Sequence, residues 1–296
     1  AHYYQPLLLG IIHLIVLGFI TTIIWGVLYQ LLPVIFQTKL KSELLARINL
    51  LFHVCGTLFL TSSFLRPDLP PWIQWSGGLF LAFSVGFFGL NVLLTFLSKP
   101  ETTIERLFIL TSVAWLFVTL IFGLLMILNK YGIISPVPHH LLLPVHVFAG
   151  LAGWVLQLII GVSAVLFPMF LLNHGISKRL LTWIYFALNC GLVTGITGQL
   201  KEVHSLKITG ITLIAISVAL YLLFTLYLFR KRLKRTTDDP MRFSLRAYLF
   251  FGGIVLLFTT VLLFGNLIGE TNLFKLFAAL FLFGFVSTLI YGQTFK

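Results

Sequence analysis

Along this chain apolar residues run in long blocks and do not alternate with polar ones. Nine stretches are free of charge in their interiors, and each is long enough, at ~20 residues, to cross a hydrocarbon layer as an α-helix. They fall near 7–36, 47–65, 74–98, 107–129, 141–172, 180–200, 207–229, 247–268 and 274–295. The missing period-2 alternation argues against a β-barrel. Connectors are short and collect the Pro, Lys and Arg, as in Arg66-Pro67-Asp68-Leu69-Pro70-Pro71 and Arg230-Lys231-Arg232-Leu233-Lys234-Arg235. The first and fifth stretches exceed the minimum length, so they are predicted to tilt or protrude. The pattern predicts an all-α, polytopic membrane bundle of about nine transmembrane helices, forming one transmembrane domain over residues 1–296.

Composition supports the lipid-facing reading. Only 9% of the 296 residues are charged against 59% hydrophobic, and mean hydropathy is +1.04. A water-exposed surface needs roughly a quarter charged residues. The net charge of +12 does not point to nucleic acid, because the basic residues sit in loops between apolar runs. Fifteen of the 20 lie on the side reached after spans 1, 3, 5, 7 and 9. The positive-inside rule then places that side in the cytoplasm, with the start of the chain on the outer side of a bacterial inner membrane. The lipid bilayer and subunits of a membrane complex are the expected partners. Cys55 and Cys190 fall inside apolar runs, so no disulfide framework is expected. The first run is long enough to span, unlike a cleaved leader, and the sequence reads as an internal portion of a longer chain.

A shift of 135 residues aligns span 1 with span 5, and span 2 with span 6, without gaps. Gly18 meets Gly153, Gly26 meets Gly161, Pro33 meets Pro168, and Cys55-Gly56 meets Cys190-Gly191. The repeat unit is four helices, over approximately 7–130 and 141–268, with 274–295 beginning a third. Glycines at matched depths allow helices to approach closely.

No Asp, Glu, Lys or Arg lies deep within a span, which argues against an acid-based proton relay or a voltage sensor. The polar residues inside are His13, Gln30, His53, Asn91, His146, Gln157, Asn189, Gln199 and Gln293. Imidazole has the widest chemistry among them, since its neutral ring ligates haem iron or copper. His13 and His146 enter from the same side and can share a depth, so they are the leading cofactor or metal ligands. His53 lies at another depth and is a weaker metal candidate. For each of the three, a hydrogen bond to a neighbouring helix is the competing role. His139 and His140 precede span 5, as a possible metal pair or as a solvated loop end. Gln30, Asn91, Gln157, Asn189 and Gln199 are expected to bond between helices. Of Trp25, Trp72, Trp75 and Trp183, those near the interface read as belt anchors.

His13-Leu14-Ile15-Val16-Leu17-Gly18-Phe19, then Gly26 and Leu32-Pro33, resembles the pattern His-x4-Gly-[Phe/Trp]-x6-Gly followed by Pro. That pattern belongs to haem-copper oxidase catalytic subunits and NnrS-type membrane proteins. His146, Gly150, Gly153-Trp154, Gly161 and Pro168-Met169-Phe170 resemble a second version, and Tyr291-Gly292-Gln293-Thr294-Phe295-Lys296 is similar to a segment of unclassified bacterial members. The resemblance implies three arcs of four helices, with haem b or copper held by histidines. It also has departures. Span 6 has no histidine pair, span 9 has no histidine, and no Tyr follows His146 at the expected place. The position repeating His13 is Phe148, and the one repeating His146 is Ile11. The binuclear centre of a reductase is therefore not expected. The expectation is a haem- or copper-binding member without reductase activity, in respiration or the nitric oxide response. A non-catalytic structural subunit of a membrane complex is the first alternative, and a small-solute transporter the second.

Overall fold

A computed structural model describes residues 5–134, 136–173, 177–233, 238–264 and 270–293. Lys234 and Arg235 of the basic run, residues 265–268 of the eighth predicted span and residues 294–296 lie outside them. Among the described residues there is no strand, and nine helices are long and apolar enough to cross a membrane. They are α1 (Pro6–Phe36), α2 (Glu43–Leu65), α3 (Pro71–Leu97), α4 (Ile104–Lys130), α5 (His139–Leu171), α6 (Lys178–Leu200), α7 (His204–Arg230), α8 (Asp239–Phe258) and α9 (Lys275–Gln293). The protein is a multi-pass bundle of apolar helices.

Local chemistry sets the helix ends. Pro6 and Pro71 occupy first turns, where a missing N–H costs nothing. The Ser42 hydroxyl accepts from the Leu45 amide at 3.1 Å, and Thr103 caps α4 through the Arg106 amide. Proline stands in the last turn of both α1 and α5. In each, a left-handed residue ends the helix, Gln37 (φ 52°) and Leu172 (φ 53°). The amides of Thr38 and Asn173 then bond back to the carbonyls of Pro33 and Pro168, at 3.2 and 2.9 Å. These two termini are 135 residues apart. So are two wide, π-helical stretches within the same helices, Leu14–Thr21 and Ala149–Leu156. A third π stretch, Leu280–Val286, lies in α9. Such segments widen a helix and re-aim its carbonyls.

The packing forms two compact units. The first runs to Val162 and includes Gln199–Glu202; the second holds Ser163–Gly198 and Val203 onward. In the first unit, α2 and α3 meet at glycines. A Cβ on Gly77 would lie 2.5 Å from the Leu60 nitrogen, and one on Gly56 would lie 2.8 Å from the Leu81 nitrogen. The same hairpin is pinned by Asn49, which donates to the Ser84 carbonyl at 2.8 Å and its hydroxyl at 3.0 Å. Arg106, 2% exposed, caps the end of α3. Its guanidinium donates to the carbonyls of Phe96, Lys99 and Glu101, flanked by the rings of Phe36 and Phe96.

In the second unit α6 and α7 close on each other the same way. A Cβ on Gly210 would lie 2.4 Å from the Gly195 backbone, and Ser217 donates to the Ile184 carbonyl at 2.9 Å. Phe251 stacks on Phe285 at 4.4 Å to seal α8 on α9. The hydroxyls of Ser163, Tyr221 and Tyr248 bond to one another in its interior.

Candidate functional site: a histidine pair

Two helices of the first unit place their eighth residues side by side. His13 is the eighth residue from Pro6 in α1, and His146 is the eighth from His139 in α5. Their ring centres are 6.3 Å apart and their planes 26° from parallel. Both side chains are half-buried. His13 Nδ1 lies 2.8 Å from the Leu9 carbonyl, one turn back on its own helix. His146 Nδ1 lies 2.8 Å from the Thr119 carbonyl of α4. A carbonyl only accepts, so in both rings Nδ1 carries the proton. The lone pair then sits on Nε2, the tautomer of a metal-ligating histidine held by an outer hydrogen bond.

The surroundings keep the pair in place. Phe64 lies against His13 with ring centres 5.1 Å apart. Gly123 lies against His146, where an added Cβ would come within 3.2 Å of Cε1 and 3.4 Å of Nδ1. Pro144, two residues before His146, has no N–H for the His140 carbonyl. The Gln199 amide supplies that missing donor at 2.7 Å.

The other sequence candidates go elsewhere. His53 donates from Nε2 to the Leu17 carbonyl at 2.9 Å and packs on Trp25, with ring centres 4.5 Å apart. His140 sits at the start of α5, its Nε2 3.3 Å from the Glu202 carboxylate, where both are exposed. His139 begins the same helix. Among the described residues no three His, Cys, Asp or Glu side chains converge as a metal site. Asn91 bonds to the Ser42 backbone, Gln157 to Thr111 and Phe108, and Gln293 to Ser244. Asn189 bonds back to the Tyr185 carbonyl of its own helix, and Gln30 is exposed.

Trp25 is buried in the first unit, stacked on Phe88 at 4.8 Å, while Trp72 and Trp183 are exposed. The buried contact of Trp25 with His53, one turn from the buried Thr57 on α2, was not anticipated from sequence. The available signal was spacing. Tyr29 and Trp25 on α1, and Asn49, His53 and Thr57 on α2, each recur at four-residue intervals.

Searches against protein-family models, curated proteins and solved structures find no match to this chain.

Proposed function

We propose that this chain is a haem-carrying membrane protein of haem-copper-oxidase-like or NnrS-like type. His13 and His146 are the residues that would hold one b-type haem. Its support is the ring pair. A metal–imidazole bond is about 2 Å, so two imidazoles on one metal have their centres about 6 Å apart, close to the 6.3 Å found here. Both Nε2 lone pairs are also left free by the Nδ1 bonds. Two imidazoles would suffice to hold a haem, whose porphyrin supplies the other four donors. For copper they are two donors only, and no group of three forms among the described residues. Haem is therefore the better fit. The group would supply one-electron chemistry; the chain's histidines hold their tautomers and their depth.

The basic loops face the cytoplasm of a bacterial inner membrane, and the protein serves respiration or the nitric oxide response beside other membrane subunits. It does not itself reduce oxygen or nitric oxide, because α6 and α9 offer no histidines for a copper beside the haem. The test is hemin titration of the purified full chain. A low-spin spectrum with sharp reduced α-bands, one haem per chain, is expected. It should disappear in His13→Ala and in His146→Ala, since alanine has no lone pair. A chain that stays colourless would end the haem reading and leave a structural subunit.

A further inference from the structure

We infer that Trp25, His53 and Thr57 form a second site, a buried polar pocket inside the first unit that holds water between α1 and α2. It is independent of the haem reading. Three features place it. The side chains are 3%, 1% and 4% exposed respectively. Each carries a polar atom without a protein partner: Trp25 Nε1, His53 Nδ1 and Thr57 Oγ1. Trp25 and His53 are ring neighbours, centres 4.5 Å apart and planes tilted by 55°, and Thr57 stands one turn beyond His53 on the same face of α2.

The hydrogen-bond roles are complementary. His53 Nε2 donates to the Leu17 carbonyl, so Nδ1 is an acceptor. The indole N–H of Trp25 only donates, and the Thr57 hydroxyl does either. A single water that accepts from Trp25, donates to His53 and shares a bond with Thr57 makes about three bonds, the usual number for a buried water. A water bridge spans up to about 6 Å between heavy atoms, in keeping with adjacent rings that do not bond directly. None of the three side chains carries a carboxylate, lysine or arginine charge, which favours water over an ion.

The π stretch of α1 belongs to it. The Leu17 carbonyl lies in that stretch and accepts from both His53 Nε2 and the Thr22 hydroxyl, the latter at 3.1 Å. With that carbonyl already taken, Nδ1 and the indole N–H have no protein partner. Phe88 covers Trp25 on one side.

X-ray hydroxyl-radical footprinting of the full chain in lipid nanodiscs tests this, because radicals form from bound water. Trp25 and His53 are expected to be modified at millisecond exposures far faster than the equally buried Phe108, after normalising for intrinsic reactivity. Mixing with H2-18O should label them more slowly than exposed residues. Thr57→Val should lower modification of Trp25 at least twofold, and Thr57→Ser should restore it. Protection of both Trp25 and His53 equal to that of Phe108 in the wild-type chain would overturn the site, whether or not the Thr57 variants fold. Unchanged Trp25 modification in a folded Thr57→Val chain would remove Thr57 from it.

Discussion

A side chain's weight in this molecule depends on what it leaves behind when removed. Arg47 faces Glu43 at 3.8 Å with both side chains about four-fifths exposed, so Arg47→Ala should change stability by less than about 0.5 kcal/mol. Arg106 is buried, and its guanidinium serves three carbonyls at the end of α3. Arg106→Met should cost about 3 kcal/mol by stranding those acceptors, read as a clear drop in the thermal midpoint. Equal responses of the two variants would refute this ranking. Gly123 acts at a smaller scale. Gly123→Val places methyl groups where the His146 ring lies and loosens the bond to Thr119. If His146 is a haem ligand, hemin affinity should fall about 10- to 100-fold, as when an outer hydrogen bond of a ligand is lost. A titration that shows unchanged affinity would mean the ring does not need that support.

At the level of helices, the repeat read from Gly and Pro finds matching local geometry in the π stretches and the left-handed ends of α1 and α5. The residues themselves do not play matching parts. A Cβ on Gly161 would meet the Phe108 Cβ at 2.7 Å, whereas one on Gly26 meets nothing within 4 Å. Gly161→Ala should therefore destabilise by about 1–3 kcal/mol through overpacking. Gly26→Ala should stabilise by up to about 1 kcal/mol through helix propensity. Thermal midpoints that move together would show the two glycines to be equivalent after all. Hydropathy made the helices legible, since each apolar block had to become a span. It could not show which glycine is pressed, because that depends on the rotation of one helix against another. The same limit hid the burial of Trp25, which depends on which helix its face meets. His13 and His146 were legible as residues that can share a depth, but their meeting depends on helix rotation too. The π stretches had no sequence signal, since their residues are as apolar as their neighbours.

For the whole molecule, membrane class was legible from charge scarcity alone, while the two compact units were not. Their boundary falls within α5, between Val162 and Ser163, and no composition shift marks a place inside a continuous helix. Orientation is open to direct test. Single cysteines at Lys41 and Arg232, in a background lacking Cys55 and Cys190, should resist membrane-impermeant maleimide in intact cells and react after permeabilisation. Labelling of either from outside would invert the topology.

The shared eighth-residue position of the two histidines bears on membrane voltage. Seven residue steps at ~1.5 Å put each ring about 10 Å from the start of its helix. If the pair holds a haem and these helices start at the core's edge, the haem lies within about a third of a hydrocarbon core of ~30 Å. An electron arriving from the nearer face then crosses at most about a third of the field, worth ~0.8 kcal/mol per 100 mV against ~2.3 for a full crossing. Reduction of hemin-loaded protein in vesicles should thus respond only weakly to an imposed potential. A response near the full-field value would place the iron deeper than these helices hold it.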